Sequence, residues 1–139
     1  MSDLKNNANI RILMVEDNPK HLERARQWMG RYEYSDLDTV RNINEAEQKL
    51  KQNQYDVVVI DTRMEAEDSG FAVIEKIKEL KINPAMIFFT ANDTVEDCRR
   101  AFKSGVWDYI SKNIRGNAFE ELHKSIQSWF KQNPENKES

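Results

Sequence analysis

Four apolar runs in this 139-residue chain lead to residues able to do chemistry. Residues 10–15 run into Glu16 and Asp17, 55–60 into Asp61 and 85–89 into Thr90, and 106–110 end two positions before Lys112. Three carboxylates brought into one small pocket repel each other and raise their own pKa values unless a cation neutralises them. Hard oxygen ligands, without a cysteine or histidine cluster, favour Mg²⁺, which keeps several waters and also coordinates a phosphoryl oxygen. A threonine hydroxyl and a lysine ammonium suit phosphoryl oxygens on the opposite side. The set describes a phosphoryl-transfer site in which a carboxylate is itself the nucleophile, and Asp61 is the best-placed one.

These residues need a scaffold that gathers strand ends. Apart from Arg11, residues 10–15 are apolar on both alternating faces, as in a parallel strand covered by helices on both sides. Pro19 suits a first helical turn, and Leu22, Ala25 and Met29 follow at helical spacing until Gly30. The unit then repeats. Residues 34–40 read as a weaker, more polar strand suited to an edge. Ile43, Ala46 and Leu50 form a short helical stripe with a capping-box pattern at Asn44 and Glu47. Residues 55–60 carry the strongest β signal and read as a central strand. Val73, Ile74, Ile77 and Leu80 supply the third helix, and residues 85–89 the fourth strand. Asp93 or Thr94 is expected to cap a fourth helix with Val95, Cys98 and Phe102 inward and Arg99, Arg100 and Lys103 outward, ending at Gly105. Residues 106–110 make the fifth strand. The last helix opens at Asn117 and Glu120 and buries Phe119, Leu122, Ile126, Trp129 and Phe130. Five such units predict an α/β fold, (βα)5, with a doubly wound five-stranded parallel sheet, whose ligands bind beyond the carboxyl ends of the strands. The domain is expected over residues 10–131, between tails at 1–9 and 132–139.

In this order and spacing the motifs resemble the receiver domain of two-component response regulators, in particular the stand-alone, chemotaxis-regulator-like kind with a flavodoxin-like fold. The resemblance rests on Val15-Glu16-Asp17-Asn18-Pro19, on Val57-Val58-Val59-Ile60-Asp61 with Met64 three residues later, on Phe89-Thr90-Ala91, and on Asp108-Tyr109-Ile110-Ser111-Lys112. It implies that Asp61 is the phosphoacceptor and that Glu16, Asp17, Asp61 and the backbone carbonyl of Arg63 hold Mg²⁺. It also implies that Thr90 and Lys112 sense the phosphoryl group and that Tyr109 swings inward when Thr90 moves. The implied donor is a phosphohistidine on a sensor histidine kinase or phosphotransfer protein. The implied output is a protein target on the face of the fourth helix, fifth strand and fifth helix, with the domain a monomer or a phosphorylation-dependent dimer.

The chain departs from the family pattern in two loops. Glu65 replaces the usual proline after Met64, and Gly70 lies nine residues beyond Asp61 where eight is usual. Asn113 stands where a proline, often after a cis bond, normally follows the lysine. A cis bond before Asn113 costs about 3 to 4 kcal/mol, so the expectation is either a trans loop with Lys112 displaced or a strained cis peptide. Arg63, Glu65 and Asn92 are expected to modulate the site.

Composition narrows the alternatives. With 21 Lys+Arg against 24 Asp+Glu the net charge is -3, and no dense basic run points to nucleic acid. Cys98, the single cysteine, excludes an intramolecular disulfide or a cysteine-built metal site and suits the cytoplasm. No apolar stretch is long enough for a membrane span, and no Gly-rich phosphate loop occurs. His21 and His123 read as surface residues, and Cys98 and the three tryptophans as packing. The reading is a phosphoacceptor signalling module with no output domain of its own, rather than an enzyme acting on other substrates. Its competitors are a pseudo-receiver scaffold that works without phosphorylation, and a small phosphatase, for which a second acid/base carboxylate is missing.

Overall fold

The structure, a computed structural model, describes residues 6–62, 69–92 and 94–133. Five strands, β1 (Ile12–Val15), β2 (Leu37–Val40), β3 (Val57–Ile60), β4 (Ala85–Thr90) and β5 (Asp108–Ser111), alternate with five helices. The helices are α1 (Pro19–Arg31), α2 (Ile43–Gln52), α3 (Ser69–Glu79), α4 (Val95–Lys103) and α5 (Ala118–Gln132). All strand pairs are parallel and the order is β2-β1-β3-β4-β5. The polar β2 is an edge strand, and β1 and β3, buried at every residue, lie inside.

Alternation along each strand builds two cores. Ile12, Met14, Val57, Val59, Ile87 and Phe89 pack one sheet face against α1 and α5, and Leu13, Val15, Val58, Ile60 and Phe88 pack the other against α2, α3 and α4. Because α1 and α2 leave β1 and β2 on opposite faces, the winding reverses beside β1, and β1 and β3 end together there. Their register aligns Val15 with Ile60, and the Asp61 amide donates to the Val15 carbonyl at 3.1 Å. That places Glu16 and Asp61 side by side.

Several local expectations are corrected. The cap of α2 is Asn42, not Asn44: its side chain accepts from the Glu45 amide at 2.9 Å, and Glu45 returns an acceptor to the Arg41 amide. Helix α1 continues past Gly30 to Arg31, and Glu33 then takes the left-handed turn with φ 66°. Within the stretch read as an N-terminal tail, Asn7–Asn9 form one 3-10 turn, with Asn7 bonded to the Tyr32 carbonyl and to Gln127. Thr94 caps α4, while Asp93 lies outside the described residues.

The largest correction is the rotation of α4. The stripe expected to face inward is at the surface: Val95 is 72% and Phe102 49% exposed, and Cys98 is half-buried. Ala101 is the buried residue instead, and the Arg100 guanidinium lies 3.9 Å from the centre of the Phe71 ring. Beside the edge strand β5 the helix has a narrow contact with the sheet, and a small residue lets it approach. Gly105, with φ 96°, supplies the left-handed turn that ends α4.

Candidate functional site

Each strand end contributes one part of the site. The β1 end delivers Glu16 and Asp17, after which Asn18 caps α1 by accepting from the amides of Lys20 and His21. This cap lays the first turn of α1 back over Glu16, and the His21 ring reaches Glu16 Oε1 at 3.4 Å. The β3 end delivers Asp61, and β4 delivers Thr90, whose hydroxyl donates to Asp61 Oδ1 at 2.9 Å. Beyond β5 the Lys112 amide donates to the Thr90 carbonyl at 2.8 Å, so its side chain turns back over the strand ends.

The Lys112 ammonium donates to Glu16 Oε1 at 2.5 Å and stands 3.9 Å from Asp61 Oδ2. Burial pushes the Glu16 carboxyl up, but the charge and hydrogen bond of Lys112, the Asn18 amide and His21 outweigh it, so its pKa is lowered. Glu16 therefore stays ionised while only 4% exposed. Asp17 is half-buried at the same strand end, and no hydrogen bond or ion pair joins it to the others among the described residues. A cleft of about 560 Å³ opens here, with Glu16, Asp61 and Lys112 at one end and Trp28, Phe89 and Phe119 at the other.

A second path leads away from Asp61. Thr90 Oγ1 accepts from the Asn92 amide at 3.0 Å, and the Asn92 carbonyl accepts from the Tyr109 hydroxyl at 2.5 Å. The Asn92 side chain donates to Asp97 in α4. Tyr109 is half-buried, meets Phe88 edge to face, and borders a surface hollow shared with Val95, Cys98 and Phe102.

Glu16, Asp17 and Asp61 offer only hard oxygen donors, the chemistry that suits Mg²⁺. As placed, Glu16 serves Lys112 and the Asn18 amide, and no three acidic, histidine or cysteine residues among the described ones gather into a metal-holding group. Arg63 and Glu65, with Met64, Glu67 and Asp68, lie outside the described residues.

The model of the family described as the response regulator receiver domain matches residues 12–127. The chain belongs to that family. This receiver domain is 32% identical over 133 residues to the transcriptional regulatory protein BasR of Escherichia coli K12, covering 94% of this chain and 56% of that protein. It is 28% identical over 119 residues to a probable C4-dicarboxylate response regulator, DctR, of Priestia megaterium, covering 85% and 50%. It thus spans about half the length of the curated relatives it matches. The receiver domain of a Francisella response regulator superposes with a TM-score of 0.71 at 27% identity, covering 90% of this chain and 99% of that one. A CheY-like receiver domain protein of Methanospirillum hungatei gives 0.77 at 19% identity, covering 91% and 97%, a likeness of fold alone.

In this receiver domain the Lys112-Asn113 peptide is trans, as no described peptide bond is cis, and Lys112 still reaches the site. Asn113 holds the trans loop itself: its amide donates to Ser111 Oγ at 3.0 Å and its side chain to the Ala91 carbonyl at 2.7 Å. Sequence reasoning missed His21, and it missed Thr62, whose buried hydroxyl lies 3.0 Å from that of Thr90. The signal for His21 was its place three residues after the cap Asn18, which returns its side chain toward Glu16. Thr62 carried a weaker signal, a hydroxyl directly after Asp61 in a buried stretch.

Proposed function

We propose that this receiver domain is a phosphorylation-controlled switch in which Asp61 accepts the phosphoryl group from a phosphohistidine. The observation that carries the reading is the Asp61 carboxylate at the end of β3, with a hydroxyl donor 2.9 Å away and an ammonium 3.9 Å away. One Asp61 oxygen bonds to phosphorus as the P–N bond of the donor breaks, and the imidazole leaves with the electron pair and takes a proton from solvent. Lys112 and Thr90 meet the charge carried by the phosphoryl oxygens. Glu16, Asp17 and Asp61 would hold Mg²⁺, which supplies positive charge against those oxygens.

Thr90 is bonded both to Asp61 and to the Asn92 amide, so a shift of its hydroxyl toward a phosphoryl oxygen pulls on the segment that holds Tyr109. The readout is then the α4-β5-α5 face, where Val95 and Phe102 flank Tyr109 in a contact surface for a protein target. The donor is a sensor histidine kinase or a phosphotransfer protein, and the compartment is the cytoplasm. Among the described residues no helix is long and apolar enough to cross a membrane. The domain acts as a phosphoacceptor that catalyses only its own phosphorylation and dephosphorylation.

Intact mass after incubation with Mg²⁺ and acetyl phosphate tests the reading. One phosphoryl adduct, lost in Asp61→Asn and in excess chelator, is expected. A folded wild-type protein that forms no adduct with acetyl phosphate or a phosphorylated kinase would instead support a phosphorylation-independent scaffold.

A further inference from the structure

Thr62 follows Asp61, is 0% exposed, and has its hydroxyl oxygen 3.0 Å from that of Thr90. Counting hydrogen bonds settles which of the two donates. A threonine hydroxyl has one proton and two lone pairs. Thr90 gives its proton to Asp61 Oδ1, and the Asn92 amide, which can only donate, fills one lone pair. The second lone pair faces Thr62, so Thr62 donates into it. With three partners around its oxygen, the Thr90 hydroxyl keeps one orientation, toward Asp61.

Thr62 is itself clamped. Its carbonyl accepts from the Gly70 amide at 3.0 Å, and Gly70 in the first turn of α3 packs so closely that an added Cβ would lie 2.6 Å from the Thr62 Cα. We propose that Thr62 is a positioning residue for Thr90: anchored by α3, it aims the Thr90 hydroxyl at Asp61 and holds back the Asn92-Tyr109 segment bonded to Thr90. The inference rests on the reading of Thr90 as the switch residue. When Thr90 leaves toward a phosphoryl oxygen, Thr62 is left with a buried donor that has lost its acceptor, which weighs against the moved state. Thr62 thereby sets the ratio of the two states and the extent of switching that a given phosphoryl load produces.

Thr62→Val keeps the shape and removes the donor, and Thr62→Ser keeps the donor. The first readout needs no phosphodonor: hydrogen exchange at the Asn92 amide, whose acceptor is Thr90. Thr62→Val is expected to speed it about five- to tenfold, with the Val59 amide unchanged and Thr62→Ser close to wild type. Equal Asn92 exchange in wild type and Thr62→Val overturns the proposal. The second readout follows the Tyr109 ring resonances during titration with beryllofluoride and Mg²⁺. Thr62→Val should reach the shifted position at a concentration about three- to tenfold lower, and Thr62→Ser should restore the wild-type midpoint. An unchanged midpoint in Thr62→Val also overturns the proposal. Absence of any Tyr109 response in wild type is a failure of the switch reading instead, and Asn92 exchange then decides the role of Thr62. Thr62→Ala, with less bulk, replaces the valine variant if that does not fold.

Discussion

Lys112 closes onto Glu16 at 2.5 Å, nearer than its 3.9 Å to Asp61. The two residues are 96 positions apart, and their contact ties the β1 end to the loop after β5 across the mouth of the site. The Glu16 and Lys112 side chains are 5% and 17% exposed, so removing the cation leaves a buried carboxylate with only the Asn18 amide and the His21 ring beside it. Lys112→Gln should destabilise the fold by about 3 kcal/mol in denaturant unfolding. Glu16→Gln on top of it should recover part of that loss, since the charge left unpaired is then gone. Fully additive losses would mean that the two do not act as a pair.

Gly70 faces a backbone wall: a Cβ there would lie 2.3 Å from the Asp61 carbonyl oxygen. Neither neighbour is a flexible side chain, so α3 or the Asp61 segment must shift. Gly70→Ala should cost about 1–3 kcal/mol and slow adduct formation at Asp61. Stability and phosphorylation rate both equal to wild type would contradict the packing described.

The rotation of α4 makes a prediction that sequence periodicity alone reverses. Val95→Ala and Phe102→Ala should each change stability by less than about 0.5 kcal/mol. Ala101→Leu should cost about 1–3 kcal/mol, because Ala101 is fully buried. Large losses for Val95 and Phe102 would restore the periodicity reading.

His123 gives a pH dependence away from the site. Its ring stacks on Tyr32 with centroids 4.3 Å apart, and Nδ1 is hydrogen-bonded at 2.7 Å to the Tyr34 hydroxyl, which also accepts from Gln127. Burial lowers its pKa from 6.5, against a smaller opposing effect of Glu120. The unfolded chain therefore takes up a proton at higher pH than the folded one. This contribution is complete above pH 6.5 and is lost as pH falls through the lowered folded value. Urea unfolding between about pH 7 and 5.5 should show stability falling, and His123→Phe, which keeps the stack, should flatten the slope.

Much of this was legible in residue patterns because the fold is written in burial. The β-branched run of β3 and the apolar β1 announce central strands, and the end of each strand is where the chain must change character, which exposes Glu16, Asp61 and Thr90. What escaped depends on three-dimensional neighbours. The stripe of Val95, Cys98 and Phe102 has helical period, but period does not say which side a sheet lies on, and beside an edge strand Ala101 fits better. His21 reads as a surface residue until the Asn18 cap turns it over Glu16. A missing proline at Asn113 points to a displaced Lys112 or a strained cis peptide, yet the peptide is trans and the Asn113 side chain supplies a tether to Ala91 that a proline could not.

The most direct test of the phosphoacceptor claim asks where the phosphoryl group is attached. An aspartyl phosphate is an acyl phosphate, which borohydride reduces to homoserine, whereas phosphoesters survive. Protein treated with acetyl phosphate and Mg²⁺, reduced and digested, should show homoserine at position 61 and at no other aspartate. Homoserine at Asp17, or an adduct that resists reduction, would contradict the assignment of Asp61.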